Sequence, residues 1–208
     1  TSVCREFTIE ANPEDITPEW AEMIAATGCI DRVSVGIQSF DDSELKAVGR
    51  RHTAARASEA VSHLRHAGIR NLSLDLIYGL PGQTDDSWLA SLNQALDMRP
   101  EHLSCYLLSI EPGTRLNARL SRGLISELPP EQAELRYTTL RHAAASAGYE
   151  HYEISNFALP GLRARHNSAY WHSAPYLGIG VGAHSLDADS RRSFNRAAVG
   201  RYIDAGFT

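Results

Sequence analysis

The sequence predicts an α/β protein: a partial parallel (β/α) barrel over residues 1–113, followed by a smaller α+β segment over residues 114–208. Three observations predict it. Short apolar runs alternate with stretches of helical spacing through the first half, glycine or proline turns separate them, and the rhythm breaks beyond Gly113. Strands alternating with helical crossovers build parallel sheets, because a right-handed crossover returns each helix to the sheet face.

Glu6 to Ala11 alternates as a strand, and Thr17-Pro18-Glu19 then supplies an N-cap, a first-turn proline and an early acid for a helix ending at Gly28. A second strand spans Val33 to Gln38, and Lys46 sits in a short solvated helix after it. A helix from Ala54 places Ala57, Ala60, Val61 and Leu64 on one face and closes at Gly68. Leu72 to Tyr78 forms the third strand. Thr84 caps a helix that turns Trp88, Leu89, Leu92, Ala95 and Leu96 inward, and His102 to Ser109 completes the fourth strand. In the second segment an amphipathic helix starts at Pro130 and runs to Gly148. Tyr149 to Ser155, an irregular stretch to Pro175, the glycine-rich Leu177 to Leu186 and a helical pattern over Arg201 to Thr208 follow.

Hydrophobic residues make up 43% and charged residues 22%, the balance of an ordinary folded domain. Twenty basic against twenty-five acidic residues give a formal charge of −5, so no global basic field exists to hold a phosphate backbone, and nucleic acid is not an expected partner. Lys46 is the single lysine and lies in Glu44-Leu45-Lys46-Ala47, which excludes a phosphate-binding P-loop. Cys4, Cys29 and Cys105 lie far from any C-x-x-C spacing and read as ordinary buried thiols. There is no signal-peptide pattern and no run of eighteen apolar residues, so the expected location is the cytoplasm with no transmembrane segment, peripheral membrane association staying open. Strand alternation starts by Glu6, directly after a first residue that is threonine, and the chain is therefore read as part of a longer protein, incomplete at both ends.

Residues two apart on a strand share a face, and the first three strands split alike. Phe7 and Ile9, Val33, Val35 and Ile37, and Leu72, Leu74 and Leu76 are expected under the helices. The opposite face reads Glu6, Thr8, Glu10, then Ser34, Gly36, Gln38, then Ser73, Asp75 and Ile77. A barrel normally fills its lumen with branched apolar side chains. Here small and polar residues occupy it, and Glu10, Gln38 and Asp75 at the carboxyl ends require partners, since an unpaired buried polar group costs about 1–3 kcal/mol. A polar ligand at the carboxyl end of the strands satisfies both points; the competing reading has the three side chains bonding loop backbone.

Asp75-Leu76-Ile77-Tyr78-Gly79-Leu80-Pro81-Gly82-Gln83-Thr84 resembles the radical S-adenosylmethionine (SAM) family of oxygen-independent coproporphyrinogen oxidases and their relatives. Glu10-Ala11-Asn12-Pro13, Ser34 to Phe40 and Val48-Gly49-Arg50-Arg51-His52 match in the same order, as do Tyr152 to Ala158 and Tyr176 to Ser185. Within that family, His166-Asn167-Ser168-Ala169-Tyr170-Trp171 is similar to the H-N-x-x-Y-W motif of the HemW-type branch, the haem chaperones. The resemblance implies that the chain holds four of the six strands of a radical SAM partial barrel. It also implies that Glu10, Gln38, Arg50 and Asp75 line a SAM site, and that His166, Tyr170 and Trp171 meet haem, His166 as candidate iron ligand. If the motif is helical, Tyr170 lies one turn from His166 on the same face. A haem or porphyrin and a haem-acceptor protein are the implied partners. The implied [4Fe-4S] cluster takes C-x3-C-x2-C ligands, which the three cysteines here do not form, so its ligands are expected upstream of Thr1.

Two alternatives stand beside the chaperone: an oxygen-independent coproporphyrinogen III oxidase, which decarboxylates two propionates to vinyl groups with SAM-derived radicals, and an unrelated barrel hydrolase pairing Glu10 with Asp75. His63 and His66 read as a solvated helix face, and Gly178 to Ala183 as a close-packed turn without the helix or acid of a dinucleotide loop.

Overall fold

The computed structural model describes residues 4–205; Thr1–Val3 and the tail of the expected last helical pattern, Gly206–Thr208, lie outside the described residues. The chain divides into two compact units, the first ending at Arg163 and the second starting at Ala164.

The first unit is a six-stranded sheet covered by helices. Strands β1 (Thr8–Ala11), β2 (Arg32–Gln38), β3 (Leu72–Tyr78) and β4 (His102–Leu107) are mutually parallel and adjacent in chain order. Helices α1 (Pro18–Ala26), α2 (Asp42–Ala47), α3 (Ala54–His66) and α4 (Asp85–Asp97) form the crossovers. The expected caps at Thr17 and Thr84 hold, and Thr53 caps α3 in the same way: each hydroxyl accepts a backbone N–H of the first helical turn. Helices α5 (Arg115–Ser121) and α6 (Pro130–Ser146) follow, and then two very short strands, β5 (Glu150–His151) and β6 (Asn156–Ala158). Strand β6 pairs antiparallel with β4, and β5 antiparallel with β6, so the sheet is mixed and the segment up to Arg163 packs with it. Compactness therefore divides the chain after Arg163 rather than after Gly113, because the ladder continues across Gly113 into β6 and β5.

One sheet face is apolar as expected: Val33, Val35, Ile37, Leu72, Leu74 and Leu76 are fully buried, against Ala57, Ala60, Leu64, Trp88, Leu92 and Ala95 of the helices. At about 25 cal/mol per Å² of apolar surface, each such branched side chain contributes about 1.5–3 kcal/mol to folding. Two members of the expected core are corrected. Phe7 is 47% exposed because it precedes the strand and falls outside the pleat, and Leu89 is 39% exposed on the outer face of α4. On α6 the buried stripe is Arg136, Leu140 and Ala144, so an arginine occupies an apolar-face position. Its guanidinium donates to Asp85 Oδ1 (2.7 Å), Gln83 Oε1 (3.0 Å) and the Gln83 carbonyl (2.9 Å), which ties α6 to the turn after β3. Of the thiols only Cys105, on β4, is buried; Cys4 and Cys29 are exposed, against expectation.

The second unit holds α7 (Arg165–Trp171), a hairpin of β7 (His184–Leu186) and β8 (Arg192–Phe194), and α8 (Val199–Asp204). The expected irregular stretch thus contains β6 and α7. The glycine-rich turn is close-packed as read: a Cβ on Gly178 would lie 2.0 Å from the His184 carbonyl oxygen. No helix among the described residues is long and apolar enough to cross a membrane.

Candidate functional site

The carboxyl ends of β1, β2 and β3 open into a cleft of about 320 Å³ lined by Glu10, Ala11, Asn12, Ser34, Gly36, Gln38, Arg50 and Asp75. All four residues singled out for this site, Glu10, Gln38, Arg50 and Asp75, meet there. The cause is topological: equivalent ends of adjacent parallel strands place their inward side chains side by side.

Each is aimed by a local device. Gln38 ends β2 at φ 69°, a left-handed conformation that costs a non-glycine residue about 1–3 kcal/mol, and the ladder to β3 shifts register between Val35 and Gln38. That bulge turns the Gln38 amide to within 2.9 Å of the space a Gly36 Cβ would fill. Arg50, after α2, donates through Nη1 to Asn12 Oδ1 (3.0 Å) and through Nη2 to the Gly36 carbonyl (2.9 Å). Only glycine leaves room for this approach, since a Cβ on residue 36 would lie 2.7 Å from Nη2. The two residues after Arg50 anchor it: Arg51 donates to Glu14 Oε1 (3.2 Å), and buried His52 bridges Glu14 Oε2 and the Ile37 carbonyl, both at 3.1 Å. Burial raises the Glu14 carboxyl, but a backbone N–H, His52 and Arg51 together hold it below the usual carboxylate range.

Asp75 is the half-buried charge of the cleft. Ser34 donates to both carboxylate oxygens, at 3.1 and 3.2 Å. Burial still pushes its pKa up, against the lowering influence of Ser104, Ser34 and the Arg32 guanidinium, and the Glu10 carboxylate pushes it up further. The arrangement offers two acid groups, an amide and a cation to one small polar molecule.

The run His166-Asn167-Ser168-Ala169-Tyr170-Trp171 lies in helix α7. His166 Nε2 lies 2.8 Å from the Tyr170 hydroxyl, one turn on, with the rings edge to face at 4.8 Å, and Tyr170 meets Tyr176 edge on at 4.7 Å. His166, Tyr170 and Trp171 are all exposed. Among the described residues no three His, Cys, Asp or Glu side chains gather as a metal site. His63 and His66 bond the Ile16 and Ser62 carbonyls instead.

Sequence reasoning missed Asn12, placed only in a turn, and the polar face of β4, where His102 and Ser104 are buried beneath the cleft. The alternation that exposed Ser34 and Ser73 applies equally to His102, Ser104 and Tyr106, and gives the signal.

Comparison with known proteins shows what the chain is similar to. The radical SAM superfamily model matches residues 4–95. The haem chaperone HemW of Lactococcus lactis is 38% identical over 207 residues, 99% of this chain and 54% of that protein. HemW of Synechocystis is 40% identical over 95% of this chain and 48% of its own length. A mouse protein described as radical S-adenosyl methionine domain-containing protein 1, mitochondrial, is 39% identical over 86% of this chain and 40% of its own length. The chain thus spans about half the length of the curated relatives it matches. In fold it is similar to the coproporphyrinogen III oxidase HemN of Escherichia coli, with a TM-score of 0.76 at 24% identity, covering 98% of this chain and 49% of that one.

Proposed function

We propose, from the match of residues 4–95 to the radical SAM superfamily model, that the cleft over β1 to β3 takes SAM, that α7 takes haem as cargo, and that the intact protein passes haem to an acceptor protein. The observation behind the chaperone reading is the exposed His166–Tyr170 pair with Trp171 beside it, an imidazole and two aromatic faces presented together on one short helix. An unburied imidazole can reach an iron without rearranging a core, and exposed aromatic rings can stack on a porphyrin. Ligation through Nε2 displaces the Tyr170 hydroxyl from that nitrogen.

The cleft residues fit SAM. Arg50 is the cation for a carboxylate, Glu10 and Asp75 accept from an ammonium or from hydroxyls, and Gln38 does either. When bound, SAM would supply an electrophilic sulfonium and, given an electron from outside the described residues, one-electron chemistry. What this chain contributes is orientation and a fixed carboxylate at Asp75. The described residues do not fit a [4Fe-4S] cluster, with Cys105 inside β4 and no thiol grouping, so no cluster ligand is assigned here. The superfamily match counts against the unrelated hydrolase.

The test is a haemin titration of the intact protein, followed at the Soret band, beside His166→Ala. Stoichiometric binding that is lost in the variant is expected, and equal affinity in the variant takes the ligand role from His166. Anaerobic production of protoporphyrinogen by the reconstituted protein would move the assignment to the oxidase.

A further inference from the structure

Beneath the cleft, a line of hydrogen bonds runs from the edge of the sheet to Asp75. The Tyr152 hydroxyl lies 2.7 Å from His102 Nε2, His102 Nδ1 lies 2.8 Å from Ser73 Oγ, and Ser73 Oγ lies 3.4 Å from Asp75 Oδ1. We propose that Tyr152 is a positioning residue for the cleft, fixing through His102 and Ser73 the donor that Asp75 receives from below. This rests on the reading of the cleft as a ligand site.

The direction of every bond follows from the ends. A carboxylate only accepts, so Ser73 donates to Asp75. Its oxygen then accepts from His102 Nδ1–H, which leaves Nε2 as acceptor for the Tyr152 O–H. This order requires a neutral ring. Burial and the Arg32 guanidinium hold the His102 pKa down to about 3, so the ring is neutral over the working range. A neutral imidazole has two tautomers, and Tyr152 selects one. In the other tautomer Ser73 would donate to Nδ1 and leave Asp75. Tyr152 stands fifty positions from His102 in the chain and reaches it because β6 pairs with β4.

Other groups also face Asp75. Ser34 and the buried Arg32 on β2, Ser104 on β4 and Glu10 on β1 act on it directly. Cys105 and Tyr106 of β4 feel its charge, but burial raises both above their usual ranges, so neither titrates near it. Ser73 is therefore one donor among several, and the Tyr152 contribution is bounded by what Ser73 gives.

The experiment reads the Asp75 carboxyl band by infrared spectroscopy against pH in the intact protein, assigned by its disappearance in Asp75→Asn. Ser73→Ala is expected to move the midpoint upward by a fraction of the roughly one pH unit that a short hydrogen bond to a charged group is worth, because the Ser73 contact is long at 3.4 Å and Ser104 Oγ, at 3.5 Å, competes for its proton. Tyr152→Phe is expected to move it the same way by less. The double variant should sit where Ser73→Ala sits, because Tyr152 acts through Ser73. An unmoved midpoint in folded Tyr152→Phe, or additive shifts in the double variant, overturns the proposal. SAM binding tests the underlying reading separately: unchanged SAM affinity in Asp75→Asn removes the ligand role of the cleft and leaves the carboxyl-band result to decide the relay.

Discussion

A single methyl group separates the stability of this fold from the use of its cleft. In Gly36→Ala the new Cβ would lie 2.7 Å from Arg50 Nη2 and 2.9 Å from Gln38 Nε2. Both are ends of flexible side chains, so the strand keeps its place and the two side chains swing away. Arg50 then loses its bonds to the Gly36 carbonyl and to Asn12. Bonds to a charged group are worth about 1.5–3 kcal/mol each, less at a half-exposed rim, while replacing a strand glycine by alanine returns about 0.5–1 kcal/mol. The net loss of stability comes to about 1–2 kcal/mol, a drop in Tm of about 2–8 °C for a chain of this size. Binding suffers more, because two of the four cleft side chains leave their positions. Loss of one charged contact to the ligand corresponds to affinity about 10–100-fold weaker. Thermal unfolding and anaerobic calorimetric titration of SAM into the intact protein measure both quantities. Wild-type affinity in a folded Gly36→Ala protein would refute the assignment of Arg50 and Gln38 to the ligand. A collapse of stability would refute the claim that the side chains yield before the strand does.

Arg136→Met should cost about 2–3 kcal/mol in urea unfolding, since the buried guanidinium serves both Gln83 oxygens while half-exposed Asp85 can return to water; a loss below about 0.5 kcal/mol would show that the apolar stem alone holds α6. His102 gives an acid dependence: its folded pKa of about 3 lies below the ordinary 6.5, so between these values the unfolded state binds one more proton, and stability falls as pH falls, by about 2 kcal/mol from pH 6.5 to 5. Asp75 acts with the opposite sign, because a carboxyl raised by burial takes up its proton first in the folded state and favours it on acidification. Unfolding free energies at several pH values in an Asp75→Asn background isolate the His102 slope, and a flat curve there would contradict it.

The parts of the site legible in the sequence are those set by strand period and topology. Glu10, Gln38 and Asp75 were readable because the side-chain period of two, applied to three adjacent parallel strands, puts polar residues on the same face at the same end. Arg50 was reachable only by resemblance, as it follows α2 with no period to mark it. What stayed hidden depends on pairings distant in sequence or on backbone states that composition does not announce. Strands of two and three residues, β5 and β6, are too short for alternation to show, yet they bring Tyr152 to His102. The left-handed turn at Gln38 falls on a residue that carries a Cβ, where a glycine would have signalled it. Arg136 reads as a break in an apolar stripe, and only the partners supplied from the turn after β3 make its burial tolerable. Exposure of Cys4 and Cys29 is a matter of which neighbours cover them, which spacing does not encode. The same division separates the two proposals: the cleft rests on periodicity and topology together, whereas the relay beneath it, assembled from β3, β4 and the loop before β6, could be found only in three dimensions.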